Sequence, residues 1–105
     1  MREIILAPSF DEEFLFVLDY VEEHFGELIA DQLEEYFKRT AHLLAQSPMI
    51  GKQEHGYPTE LYGFVFGPSW IFYRFTDDKI TFLHIRDGRM DKDGQSSSDV
   101  SQWLH

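Results

Sequence analysis

Residues Trp70–Asp91 read WIFYRFTDDKITFLHIRDGRMD, two runs of aromatic and β-branched residues on either side of Thr76-Asp77-Asp78. A polar tripeptide of hairpin-loop length between such runs predicts antiparallel strands over Trp70–Phe75 and Lys79–Arg86. Side chains alternate across a strand. Ile71, Tyr73 and Phe75 therefore share one face and Trp70, Phe72 and Arg74 the other. On the second strand, strict alternation groups Ile80, Phe82, His84 and Arg86 opposite Thr81, Leu83 and Ile85. Both faces are rather apolar, which predicts a central hairpin covered on at least one side. The same stretch carries Arg74, Lys79, Arg86 and Arg89 in a chain of formal charge −10.

Toward the N-terminus, Met49–Ser69 is broken repeatedly by Gly and Pro and has no clear period. It reads as a loop followed by an irregular or edge strand around Leu61–Phe66. Before it, a helix beginning at Glu27 carries Ile29, Leu33, Tyr36, Phe37, Thr40 and Leu44 as its inward stripe, and it ends ahead of Pro48 because the residue before a proline avoids the α region. An earlier helix opens with Ser9 and Glu12 in capping-box spacing, with Asp11–Glu13 favoured in the first turn. Its apolar face is Phe14, Leu18, Val21 and Phe25, and Gly26 is the natural stop. REIILA, Arg2–Ala7, is a first strand closed by Pro8. The order is β-α-α-β-β-β, an α+β fold in which a helical hairpin packs on a small, mostly antiparallel sheet. One domain spans 1–93. The Ser-rich tail 94–105 reads as mobile or ordered by a partner.

Of 105 residues, 43% are hydrophobic and 16% aromatic, enough for a core without staples. There are no cysteines, which removes disulfides, thiolate metal sites and a cysteine nucleophile. No apolar run approaches the ~20 residues of a membrane span, and MREIILAPSF is too short and too soon acidic for a signal peptide. The expectation is a cytoplasmic protein with no membrane partner. Charge is unevenly spread. Ser9–Ser47 holds ten acids against Lys38 and Arg39 only, leaving −2 of the −10 for the rest of the chain. Broad phosphate-backbone binding requires clustered cations, so composition disfavours it.

Three motifs in this order resemble the RelE/ParE superfamily of bacterial toxins, which are encoded beside an antitoxin. IFYRFTDDKI, Ile71–Ile80, is similar to its strand-and-turn motif of apolar residues, Tyr-Arg and an acidic pair. IRDGRMD, Ile85–Asp91, is similar to the closing motif of the ParE branch, and LAQSPMIGK, Leu44–Lys52, to the exit from its second helix. The resemblance covers roughly residues 3–92. Two positions depart from it: Asp87 stands where the ParE pattern usually has His, and Trp70 where the RNA-cleaving branch usually has Arg. Lys52–Phe66 holds one Lys and no Arg, whereas the ribosome-dependent ribonucleases carry several basic residues there.

The resemblance implies a type II toxin, closest to ParE, that inhibits DNA gyrase by protein contact and is neutralised by a cognate antitoxin in a hetero-oligomer. Arg86, Arg89, Trp70, Trp103 and Leu104 are then the expected target or antitoxin contacts, since Arg and Trp are typical interface anchors. The alternative is a ribosome-dependent mRNA endonuclease of the RelE branch. Its chemistry needs a base for the 2′-hydroxyl, cations for the phosphorane and an acid for the leaving oxygen; the candidates are Arg74, His84, Arg86, Arg89 and Tyr73. The plainer reading pairs Arg74 and Arg86 with Asp77, Asp78, Asp87 or Asp91 and packs His84 as a hydrogen-bonded histidine. A third class is a non-toxic interaction module on the same fold. The histidines have no metal-ligand spacing, and neither metal nor cofactor is expected.

Overall fold

The computed structural model describes residues 1–56 and 60–87. Strand β1 (Glu3–Leu6) leads into helix α1 (Pro8–Phe25), which turns at Gly26 into helix α2 (Glu27–Gln46). A 3-10 turn, Pro48–Ile50, is followed by β2 (Lys52–Glu54), β3 (Leu61–Phe66), β4 (Ser69–Phe75) and β5 (Lys79–Asp87). These five strands form one sheet in the order β1-β5-β4-β3-β2, parallel between β1 and β5 and antiparallel elsewhere. The helical hairpin is the crossover that brings β5 back beside β1. Gly26 joins the helices at φ 98°, a conformation that favours glycine.

The expected architecture is present with one strand more than the sequence suggested. β2 pairs with β3, so Leu61–Phe66 is an interior strand and not an edge. Lys-Gln-Glu has no apolar residue to betray it; backbone pairing alone makes it a strand.

The core lies between the helices and one face of the sheet. Phe10 and Phe14 of α1 and Phe37, Ala41 and Leu44 of α2 meet Phe66, Ile71, Tyr73, Ile80, Phe82 and Ile85. Ring centroids sit 5.1 Å apart for Phe10–Phe37, 5.0 Å for Phe14–Phe37 and 5.4 Å for Phe37–Phe82. Such tilted pairs add about 0.5–1.5 kcal/mol each beyond area burial. Of the expected α2 stripe, Tyr36 is 42% exposed, yet its ring stacks on Phe66 at 4.7 Å and covers that edge of the core.

Two local expectations are corrected. Helix α1 starts at Pro8, with Ala7 at the N-cap and no side-chain cap. Proline at the first helical position has no N–H to leave unsatisfied, and the Ser9 hydroxyl is free to donate to the Leu83 carbonyl at 2.8 Å. The second correction is on β5. Phe72 pairs with His84 but Tyr73 with Phe82, so Leu83 is an extra residue at a β-bulge. Ile80 and Phe82 face the core before it, and Ile85 faces the core after it. His84 and Arg86 therefore turn to the face away from the helices, not to the face of Ile80 and Phe82.

Arg2 holds the other end of the sheet. Its guanidinium donates from Nε to the Thr76 carbonyl (2.5 Å) and from a terminal nitrogen to the Ala45 carbonyl (3.2 Å), and lies 5.2 Å from the Phe75 ring centroid. It ties β1 to the hairpin turn and to the C-terminal end of α2, where cations are favoured. Among the described residues, no helix is long and apolar enough to cross a membrane.

Candidate functional site

The helix-free face of the sheet can be read row by row from the strand register. Val65, Trp70 and Arg86 form one row; Lys52, Gly63, Phe72 and His84 the next; Glu54, Leu61, Arg74, Thr81 and Ile5 the third. Trp70 and Phe72 are half-buried, Arg74 and Arg86 exposed, and Val65 is 51% exposed. Arg74 is four steps along the strand from Trp70, roughly 13 Å, so Arg74 and Arg86 flank opposite ends of an aromatic ridge. Gly63 lies buried beneath this ridge: a Cβ there would come within 3.2 Å of Trp70, Phe72 and the Glu54 carboxylate, which already fill the space a side chain would take.

Arg86 and His84 meet an acid from the opposite layer. β1 stops at Leu6, opposite Phe82, so the last part of β5 has an open edge whose polar groups require partners. The Ala7 N–H donates to the Phe82 carbonyl at 2.9 Å, Ser9 serves Leu83, and Glu13 Oε1 accepts the Ile85 N–H at 3.0 Å. The Glu13 carboxylate thus stands in for the missing strand. Its Oε2 lies 3.3 Å from His84 Nδ1 and 3.5 Å from an Arg86 terminal nitrogen, which itself lies 3.1 Å from His84 Nδ1. When bare, Nδ1 accepts from Arg86; when protonated, it donates to Glu13. The Arg86–Glu13 pair is half-exposed and is worth at most about 1 kcal/mol. The charge-assisted bond to Ile85 is the stronger element, at about 1.5–3 kcal/mol.

Of the sequence-predicted residues, the bulge brings His84 and Arg86 together with Trp70, and Arg74 shares their face two rows away. Tyr73 is on the opposite face. It is fully buried, and its hydroxyl donates to the Pro48 carbonyl at 2.6 Å. Burial pushes the phenol up to about 12, against the pull of the Gly51 backbone and with a small further push from Tyr62. Such a buried and committed group is poorly matched to acid–base work at neutral pH. Arg86 pairs with Glu13, and among the described residues neither Arg86 nor Arg74 pairs with Asp77 or Asp78; the anticipated pairings with Asp91 and with the Asp87 side chain lie outside them. Arg89, Trp103 and Leu104 lie outside the described residues. Sequence reading missed Glu13 altogether, because its partners are 71 and 72 residues away and its position looks like an ordinary solvated helix acid. A separate open cleft of about 610 Å³, lined by Met1, Arg2, Ala45, Gln46, Asp77 and Asp78, sits at the far end of the sheet and shares none of these residues.

The family described as ParE toxin of type II toxin-antitoxin system, parDE, matches residues 4–92. Among solved structures, a chain from the chromosomal ParDE TA system of P. aeruginosa is similar with a TM-score of 0.68 at 13% identity, covering 83% of this chain and 96% of that one. At that identity the likeness is one of fold. No curated protein matches the sequence. A β-α-α-β-β-β-β layer order, a helical hairpin on one sheet face and a family match over 4–92 together lead to one conclusion: this chain belongs to the ParE toxin family of type II toxin–antitoxin systems.

Proposed function

We propose that this protein is a toxin that inhibits DNA gyrase by protein–protein contact and is neutralised by a cognate antitoxin with which it forms a hetero-oligomer. The observation that carries the reading is the family match over residues 4–92. The structural neighbour, a chain of a chromosomal ParDE TA system, supports an antitoxin partner. Contact in place of catalysis is supported by the inward Tyr73, whose buried hydroxyl is committed to Pro48, and by the His84 imidazole, held between Glu13 and Arg86. The net charge of −10 also opposes docking on ribosomal RNA.

Expression without an antitoxin tests the reading in cells. Growth should stop with the DNA-damage response induced while protein synthesis continues. Cleaved transcripts that appear only with ribosomes present, and that disappear in Arg74→Ala, would overturn it in favour of the ribonuclease. Unimpaired growth would overturn it in favour of an inert interaction module.

A further inference from the structure

The face of the sheet turned away from α1 and α2 carries no packed element among the described residues, and we infer that it is the docking surface for an acidic polypeptide segment bearing an apolar anchor. The inference deepens the target-contact reading above and rests on it for the partner's identity.

Charge argues for the acidic partner. Lys52, Arg74, Lys79 and Arg86 lie on this face against Glu3, Glu54 and the Glu13 carboxylate that pairs with Arg86, while the rest of the helical hairpin holds nine acids and two cations. An approaching carboxylate-rich segment is repelled by the hairpin and finds favourable potential only over the sheet. Arg74 is exposed and forms no ion pair among the described residues, so its planar guanidinium can take a carboxylate in a two-pronged bond.

Shape argues for the apolar anchor. Trp70 and Phe72 stand half-buried side by side on β4 and close over Gly63, with the half-exposed Val65 beside Trp70. A Leu or Phe side chain laid against Val65, Trp70 and Phe72 would cover apolar surface that no part of the described fold covers. Aromatic residues with cations also suit single-stranded nucleic acid. That occupant is disfavoured because a phosphate chain gains affinity by neutralising several successive charges, whereas a peptide carboxylate on Arg74 together with an apolar anchor on Trp70 and Phe72 requires only one free cation.

The test uses the isotopically labelled full chain and a short synthetic peptide of Glu and Asp residues around one Leu-Phe pair, followed by NMR. The expected result is chemical-shift change at the Trp70 indole, the Arg74 Nε and the β3 and β4 amides, with affinity lost as salt rises. Arg74→Glu, a surface change, should weaken binding about tenfold, and Trp70→Ala by a similar factor with the spectrum's dispersion retained. Shifts confined to other surfaces would overturn the inference, as would a single-stranded RNA oligonucleotide that perturbs this face more strongly than the peptide does. Gyrase is absent from the experiment, so failure here leaves the target open, and failure of the gyrase reading leaves this surface standing.

Discussion

At the scale of single residues, Tyr73 shows how a residue that looks catalytic in a sequence becomes structural. Its place in the Tyr-Arg motif was legible, and so was its face, since alternation sets it with Ile71. Its partner was not, because the Pro48 carbonyl comes from a turn 25 residues away. Tyr73→Phe should cost about 1–3 kcal/mol in denaturant unfolding, because it leaves the Pro48 carbonyl buried without its donor. The phenol also sets an alkaline limit. Its folded value, about 12, lies above its unfolded value near 10. Both states hold the proton below about pH 10, and above it the unfolded chain loses the proton first. Stability should therefore fall as pH climbs from about 10 to 12, and the fall should be smaller in Tyr73→Phe. Gly51 completes the arrangement: a Cβ there would strike the Tyr73 hydroxyl and come within 2.9 Å of the Gly63 carbonyl. Gly51→Ala should destabilise by about 1–3 kcal/mol, read from the shift of the unfolding midpoint.

At the scale of elements, periodicity made the helices legible and pairing geometry hid the rest. Phe14 and Val21 announced α1, and Phe37 and Leu44 announced α2, because a helix must bury one stripe. β2 is three polar residues whose only credential is the ladder to β3. The bulge at Leu83 leaves no compositional trace, yet it moves His84 and Arg86 from the core side to the open side. Strict alternation kept them in the company of Ile80 and Phe82, from which the bulge separates them. Glu13 holds this bulged end of β5 in place from α1. Glu13→Ala should cost about 1–3 kcal/mol and speed hydrogen exchange at Ile85 more than at Ile80, whereas Glu13→Gln, which keeps an acceptor, should lose less. Equal exchange at Ile85 in the wild type and Glu13→Ala would contradict the pin.

At the scale of the whole molecule, the charge asymmetry seen in the sequence becomes a two-sided object, with acids on the helical hairpin and cations with aromatics on the sheet face turned away from it. The separation is incomplete, since Glu13 crosses from the acidic layer to pair with Arg86. Arg74, Trp70 and Phe72 are left as the face's available anchors, a grouping that alternation along one strand already gave, although only the packing shows that the helices cover the other face. The central claim is that this face brings the toxin to its target by contact. The most direct test is DNA supercoiling by purified gyrase in the presence of the wild-type protein, Arg74→Glu and Arg39→Glu, the last a matched charge change on the helical hairpin. The account predicts inhibition by the wild type and Arg39→Glu and a loss of about tenfold in potency for Arg74→Glu. Gyrase that keeps supercoiling with saturating wild-type protein, or an Arg74→Glu variant as potent as the wild type, would contradict it.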